Sequence, residues 1–207
     1  MTTPHPMTTP VVAALRPTPV DSATLSALHD RLVRAADDEG LLDVVYTIHP
    51  SPVGPLLLVA TSGGLLRVAF EREDHDAVLS RIAGRVSSRI LEAPDRLAET
   101  AGQLDEYFAG RRRDFTLPLD RSLSSGFRRE VQDHLRAIPY GHTETYTEVA
   151  TLLGRPQAVR AVGSGCATNP LPLVLPCHRV LRSDGTLGGY AGGLAAKAAL
   201  LELEAAA

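Results

Sequence analysis

The spacing of apolar residues changes several times along this chain, and each change announces a different kind of element. Over residues 21–39, Leu25, Leu28, Leu32 and Val33 recur at helical intervals among charged neighbours, which predicts an amphipathic helix ending near Gly40. Its apolar face can pack on this domain or on another protein. Three denser runs follow: Val44-Val45-Tyr46-Thr47-Ile48, Leu56-Leu57-Leu58-Val59-Ala60 and Leu65-Leu66-Arg67-Val68-Ala69-Phe70. They are rich in β-branched and large aliphatic side chains and are separated by Pro or Gly turns, so they read as three strands of a meander. Helical spacing returns over 74–85 and 93–108, and a short strand is expected at Phe115-Thr116-Leu117. The amino-terminal half is therefore predicted to be α/β, a small antiparallel sheet with helices.

The second half reads as mainly helical. Thr145 caps a short helix, Glu148 completes a capping box, Val149, Leu152 and Leu153 share one face, and Gly154 ends it. Pro156 suits the first turn of a second helix that Gln157-Ala158-Val159-Arg160-Ala161-Val162 carries on. Helix, three-residue turn with glycine, helix is the helix-turn-helix pattern, whose second helix enters a DNA groove. An ordinary helical hairpin has the same spacing. From Val149 to Ser183 there is no Asp or Glu, while Arg155, Arg160, Arg179 and Arg182 all occur. A polyanion would be drawn to such a stretch, and a solvated face would look alike.

Cys177 follows Leu171-Pro172-Leu173-Val174-Leu175-Pro176 and precedes His178 and Arg179. The prolines and aliphatic residues predict a packed, extended segment that fixes the sulfur. A free thiol titrates at roughly 8.5, and a neighbouring His or Arg lowers that value, so Cys177 is a candidate nucleophile. A buried cysteine acting as a small hydrophobe is the alternative. Downstream, Gly188, Gly189, Gly192 and Gly193 surround Tyr190, a density suited either to backbone packed close to a planar ligand or to a flexible turn.

These pieces combine into one pattern. From about Phe127 to Glu204 the chain resembles the catalytic domain of O6-alkylguanine-DNA alkyltransferases, also called methylated-DNA–protein-cysteine methyltransferases. The matching segments are Ile138-Pro139-Tyr140-Gly141, Thr145-Tyr146, Val159-Arg160-Ala161-Val162-Gly163, Asn169-Pro170, Pro176-Cys177-His178-Arg179-Val180, Gly188-Gly189-Tyr190-Ala191-Gly192-Gly193 and Leu200-Leu201-Glu202-Leu203-Glu204. The resemblance implies direct DNA repair: Cys177 takes the alkyl group from O6-alkylguanine, and from O4-alkylthymine, and the protein is consumed. It implies that Glu204 holds His178, which acts through a water on Cys177, and that Tyr146 bonds the base and helps protonate it as it leaves. Asn169 ties the turn after the recognition helix to the active-site segment. Arg160 fills the gap left by the flipped base, with Ala161 and Gly163 on the same helix near DNA; Cys166, beside that helix, reads as a buried packing residue, with a minor DNA contact as the alternative. Val180, Gly188, Tyr190 and Ala191 wall the substrate pocket, the Ala191 amide aimed at O6. A winged helix-turn-helix is implied for this half. Leu104-Asp105-Glu106-Tyr107-Phe108-Ala109-Gly110 resembles the family's amino-terminal domain more weakly.

Some positions depart from the family pattern. Arg155 stands where many members carry Asn, removing an N-cap side chain. Gly163-Ser164-Gly165-Cys166-Ala167 lacks a basic residue common there, which predicts weaker phosphate contact, and Ala191 lacks a hydroxyl found in some relatives.

Composition agrees with a small globular protein: 207 residues, 44% hydrophobic and 22% charged. The net charge of −3 argues against blanket affinity for nucleic acid. Residues 1–120 carry 12 basic and 17 acidic side chains, a balance of −5, and residues 121–207 carry 9 and 7, a balance of +2. DNA contact is thus assigned to the second half. The only cysteines, Cys166 and Cys177, suggest no disulfide framework and fit a reducing compartment. The scattered His5, His29, His49 and His75 lack ligand spacing, so no metal and no cofactor is expected. Residues 1–20, rich in Thr and Pro, read as a disordered tail rather than a signal peptide. The expected organisation is that tail, an α/β domain over 21–120 with an added helix, and a DNA-binding alkyltransferase domain over 121–207. The chain is expected to be a cytoplasmic monomer acting at the nucleoid on double-stranded DNA containing O6-alkylguanine, with no membrane partner. A DNA-binding regulator, a lesion sensor and a cysteine hydrolase are the rival readings.

Overall fold

The computed structural model describes residues 21–206; the tail expected over 1–20 lies outside them. Helix α1 (Ser22–Asp38) is followed by strands β1 (Val44–His49), β2 (Leu56–Thr61) and β3 (Gly64–Phe70), helix α2 (His75–Arg85), strand β4 (Ile90–Glu92) and helix α3 (Ala98–Phe108). The second half contains α4 (Gly126–Leu135), β5 (Glu144–Thr145), α5 (Tyr146–Leu152), α6 (Val159–Ala167), β6 (Val180–Leu181) and α7 (Gly193–Ala205). No helix among the described residues is long and apolar enough to cross a membrane.

The expected meander forms, with β2 antiparallel to both β1 and β3. Its unbroken apolar run has a physical cause, because both faces of β2 are covered. Leu56 and Leu58 point into a core shared with the second half, including Val131, Leu135 and Leu175. Leu57 and Val59 meet Val78 and Ile82 of α2 on the opposite face. Burying side chains of this size stabilises by about 1.5–3 kcal/mol each. The two halves thus share one core, and the sheet is a wall against which the second half is built.

Several expectations need correction. The sheet is mixed, not wholly antiparallel: three-residue β4 pairs parallel to β1, with Val44 opposite Ile90. The helix expected over 93–108 opens with a 3-10 turn, Pro94–Leu97, before α3 begins. The strand expected at 115–117 does not form. That segment lies extended beside β3 but makes only one bridge, Leu65 with Leu119, and Pro118 has no N–H to give a ladder. Between α5 and α6 the connection spans residues 153–158, longer than the three-residue turn expected, and Pro156 lies in it rather than in α6. Gly154 and Arg155 donate to the Thr151 and Ala150 carbonyls, closing α5 with a Schellman arrangement, while Ala158 N–H bonds back to Arg155. Those bonds hold 155–158 as a turn and delay α6 to Val159. The cap and capping box at Thr145 and Glu148 form as read.

Helix α1 matches its expected span, capped by Asp21, yet has no fully buried residue. Leu25, Leu28 and Leu32 are 55%, 50% and 53% exposed. It is held by polar contacts, His29 to the Glu92 carbonyl and Arg96 to Asp37, and by Val33 against the core.

Gly64 shows how closely the extended segment packs. Its φ is +116°, and a Cβ there would overlap the Pro118 carbonyl that accepts from Leu65 N–H. Gly64→Ala is expected to destabilise by about 2–4 kcal/mol through strain and overlap together. Gly84→Ala in α2, where a Cβ meets nothing within 4 Å, should stabilise by about 0.5–1 kcal/mol. Urea unfolding of the two variants checks both signs, and a neutral Gly64→Ala would contradict the packing described.

Candidate active site

Backbone bonding sets Cys177 in place before any side chain acts. Pro176, at φ −78° and ψ 67°, is the centre of an inverse γ-turn in which Cys177 N–H donates to Leu175 O at 2.7 Å. A single 3-10 turn, Cys177–Arg179, follows. Asn169 braces this segment: its side-chain N–H donates to Leu175 O at 2.7 Å, and its Oδ1 accepts Leu171 N–H at 3.0 Å. From the sheet, Arg67 donates to Asn169 O at 3.1 Å and Val68 N–H to Pro170 O at 2.9 Å. Leu173 within the loop has φ +73°, a left-handed conformation costing a non-glycine residue about 1–3 kcal/mol. The packing that tolerates it is tight, Leu173 being 1% exposed. Parallel pairing of β5 with β6, Glu144 opposite Val180, then sets Tyr146 beside the 3-10 turn.

Glu204 of α7 is the hub of the buried polar groups. One oxygen accepts from His178 Nε2 at 2.9 Å, Arg179 Nη2 at 2.9 Å and the Tyr107 hydroxyl at 2.8 Å. The other accepts from Arg179 Nε at 2.8 Å and Gly141 N–H at 3.1 Å. Burial alone would raise this carboxyl, but the His178 and Arg179 bonds and charges hold it down at about 2. His178, fully buried, is pushed below its ordinary value by burial, against the pull of Glu204. The consistent state is an ionised Glu204 paired with Arg179 and a neutral His178 that donates from Nε2. The acceptor nitrogen is then Nδ1, which has no partner among the described residues, as is also true of the buried Tyr190 hydroxyl. Two orphaned polar atoms in one buried site mark a place prepared for something else.

The thiol's electrostatics differ from expectation. His178 and Arg179 were read as the groups that lower Cys177, yet Arg179 is buried and occupied by Glu204 and His178 is neutral. Burial dominates and pushes the thiol up. Opposing it are a hydrogen bond from Asn169 and the charges of Lys197 and Arg67. Lys197 is fully buried, donates to Val180 O at 2.6 Å, and is itself lowered by burial.

A cleft of about 420 Å³ is lined by Tyr146, Gly163, Arg182, Gly188, Tyr190 and Ala191 and by Ala167. Cys177 is 5% exposed and is not itself a lining residue, but it lies near enough to two that are, Tyr146 and Tyr190, for a charge on the sulfur to act on both. Burial pushes Tyr146 up to about 12, so its hydroxyl remains a donor at neutral pH. Gly188 is glycine for contact reasons, because a Cβ would collide with that hydroxyl. Phe70 of the sheet meets the Tyr190 ring edge-on at 5.4 Å, so the first half supports the pocket wall. Val180, expected in the pocket, is fully buried in β6. On α6, Arg160 and Ala161 are exposed and Gly163 is half-buried. Arg160 makes no hydrogen bond or ion pair among the described residues. Cys166 is on the inner face at 8% exposure, the packing position read for it and not the DNA contact given as its alternative, since α6 packs that side on the core.

Sequence reading missed Lys197, Tyr107 and Arg67, and misplaced Arg179 among surface cations. A signal existed for Lys197: with Ala196, Leu200 and Glu204 it shares the buried face of α7, and a Lys on the apolar stripe of a helix needs a reason to be there. Arg67, inside a strand of otherwise apolar residues, carried a similar signal. Among the described residues no group of three His, Cys, Asp or Glu side chains is arranged to hold a metal.

Comparison with known proteins bears on both halves of the chain, over residues 44–206. Residues 126–206 match the family model described as 6-O-methylguanine DNA methyltransferase, DNA binding domain, and residues 44–121 match its ribonuclease-like domain. A methylated-DNA–protein-cysteine methyltransferase of Methanosarcina barkeri is 40% identical over 159 residues, 77% of this chain and 96% of that protein. The constitutive enzyme of that name from Bacillus subtilis is 38% identical over 160 residues, 77% of this chain and 94% of the relative. Among solved structures, Mycobacterium tuberculosis O6-methylguanine methyltransferase superposes with a TM-score of 0.69 at 35% identity, covering 79% of this chain and 93% of its own. The Mycobacterium tuberculosis OGT structure in complex with DNA gives 0.66 at 36%, covering 78% and 93%.

The Glu204 hub predicts a pH signature. Its carboxyl is lower in the folded than in the unfolded chain, about 2 against an ordinary 4.5, so the stabilisation is present above 4.5 and lost as pH falls toward 2. The difference is worth about 3 kcal/mol. Glu204→Gln is expected to lose about 3–5 kcal/mol at neutral pH, because Arg179 is left buried and unpaired. That deficit should shrink between pH 4.5 and 2 in urea titrations; a deficit unchanged across that range would contradict an ionised hub.

Proposed function

The chain belongs to the O6-alkylguanine-DNA alkyltransferase family, and from that premise we propose that it repairs DNA by direct, irreversible transfer of an alkyl group from O6-alkylguanine, and from O4-alkylthymine, to Cys177. The observation that carries this reading is a neutral His178, fixed by an ionised Glu204 and presenting an unpartnered Nδ1, adjacent in the chain to a buried thiol whose charge acts on Tyr146 and Tyr190 of the cleft that α6 borders. The arrangement is that of nucleophile, base and orienting group. The thiol proton leaves toward His178 through a water, and Sγ attacks the alkyl carbon. The new S–C bond forms as the C–O6 bond breaks. The departing base would be an anion in a sheltered pocket; the Tyr146 hydroxyl helps protonate it as it leaves, its own proton being replaced by the one His178 has taken from the thiol, so no net charge is left behind. No step regenerates the thiol from the thioether, so each molecule acts once.

Asn169 serves as a positioning residue, since its bonds fix the turn that carries the sulfur. Gly188, Tyr190 and Ala191 form the pocket wall, with the Ala191 amide directed at O6. A base inside the duplex cannot reach a thiol 5% exposed, so it must be extruded, at a few kcal/mol. Arg160, free at the exposed start of α6, is assigned to the space it leaves, and Ala161 and Gly163 to the groove beside it. On this reading residues 121–207 are the DNA-binding alkyltransferase unit and residues 21–120 support it. The protein acts as a monomer on double-stranded DNA at the nucleoid, in the cytoplasm.

Incubating the protein with duplex DNA containing O6-methylguanine should add one methyl to Cys177 and no more, read by intact mass and peptide mapping. Cys177→Ala should abolish transfer and keep lesion binding; transfer by that variant would overturn the assignment. Unmodified protein bound to the lesion would favour a sensor, and many products per protein an ordinary catalyst. Separately, Arg160→Ala should slow repair of duplex DNA about tenfold or more, because the vacated stack is no longer filled. Its reaction with the free base O6-benzylguanine should be unchanged, and equal losses on both substrates would reject the role given to Arg160.

A further inference from the structure

A second cleft, of about 220 Å³, lies between α2 and the carboxy-terminal end of α6. Arg67, Arg81 and Arg85 line one side, and Ala167 and Thr168 the other. Ala167 also borders the 420 Å³ cleft assigned to the base, so the two cavities share a wall. A nucleotide whose base enters one cleft would carry its sugar and phosphates past Ala167 toward the other.

The charges in this cleft are unusual for the half of the chain that is acidic overall. Arg81 and Arg85 occupy successive turns of α2, are exposed, and have no hydrogen bond or ion pair among the described residues. Arg67 senses Arg81 as a like charge. Glu73, the carboxylate that pairs with Arg67, also accepts from Phe70 N–H, and is not free to neutralise the others. Two unpaired guanidinium groups beside a third are an unfavourable grouping in the free protein and a favourable one around an anion. The opposite wall supplies no cation. Arg160 is the one basic residue of α6, at its first turn, and the far end of a helix carries negative partial charge that repels phosphate. A strand following α6 to Ala167 therefore meets positive charge from Arg182 on the side of the base cleft and from α2 on the other.

We propose that Arg81 and Arg85 form a phosphate-binding site for the DNA strand that carries the extruded nucleotide, so that the amino-terminal half contacts DNA directly. Planar guanidinium forks suit bidentate capture of a backbone phosphate. The site supplies from a different element the positive charge that α6 lacks at Ala167. This inference rests on reading the neighbouring cleft as the base pocket.

The test measures binding of a fluorescent duplex containing O6-methylguanine as salt is varied. It compares wild type with the double variant Arg81→Ala/Arg85→Ala and with Arg31→Ala/Arg34→Ala on α1, which removes the same charge elsewhere. The first variant should bind about tenfold more weakly near physiological salt, with the slope of log affinity on log salt reduced by roughly 1–2. Arg81→Lys/Arg85→Lys should recover most of the slope. Reaction with free O6-benzylguanine, which has no phosphate, should be unchanged in all variants, showing the thiol site intact. Unaltered affinity and slope in Arg81→Ala/Arg85→Ala, or an equal loss in the α1 variant, would overturn the proposal. Should wild type fail to react with the free base while binding duplex DNA, the alkyl-transfer reading falls, and the salt slopes still decide the phosphate site.

Discussion

A carboxylate at 3% exposure stays ionised only when donors surround it, and Glu204 has five hydrogen bonds, from Tyr107, Gly141, His178 and twice from Arg179. Those donors come from α3, from the turn after α4 and from the 3-10 turn that carries the thiol. Tyr107 belongs to the first half of the chain, so the carboxylate that holds His178 also fastens the two halves. Arg179 neutralises the charge and reaches on to Ile138 O at 2.6 Å. Breaking any one arm leaves a buried partner unsatisfied, and the cost of that exceeds the value of the bond itself. Fold and site are, at this point, one set of interactions.

The sheet contributes to the same end from the other side. Arg67 and Val68 bond the carbonyls of Asn169 and Pro170, and Phe70 backs Tyr190. Neither strand residue touches the thiol, yet each fixes a residue next to it. A half of the chain that would otherwise look like scaffolding therefore sets the precision of the site. This also explains why β3 holds a buried cation among aliphatic neighbours: Arg67 is satisfied by Glu73 and by the Asn169 carbonyl.

How much of this the amino-acid sequence discloses depends on the range of the interaction concerned. Local rules were readable: the Thr145–Glu148 capping box, the helical stripe of α1, and the doubly covered run of β2 all follow from residues within a few positions of one another. What depended on distant partners was not. β4 is three residues whose pairing exists only because β1 offers an open edge. Pro118 cancels a strand that Phe115 and Leu117 suggest. The site residues Cys177, His178, Tyr146 and Glu204 stood out through a recognisable pattern, but their electrostatics did not. Arg179 looks like a surface cation until α7 folds back and gives it a carboxylate. Lys197 acquires meaning only when Val180 O lies in front of it.

Burial of the sulfur carries its own chemical logic. A thiol lowered by adjacent cations would be reactive at all times, toward oxidants as much as toward a lesion. Here burial outweighs the pull of Lys197, Arg67 and the Asn169 hydrogen bond, so the resting form is the protonated, inert one. Reaction then requires the proton to leave at the moment an alkyl carbon arrives, which is the task for which an unpartnered His178 Nδ1 is suited. For a protein whose chemistry is alkyl transfer, a nucleophile kept in reserve until its substrate arrives is worth more than one that is permanently ionised and open to oxidants. The slower chemistry implied by a raised thiol is offset by the cations already in place, whose effect grows as an entering base excludes the remaining water.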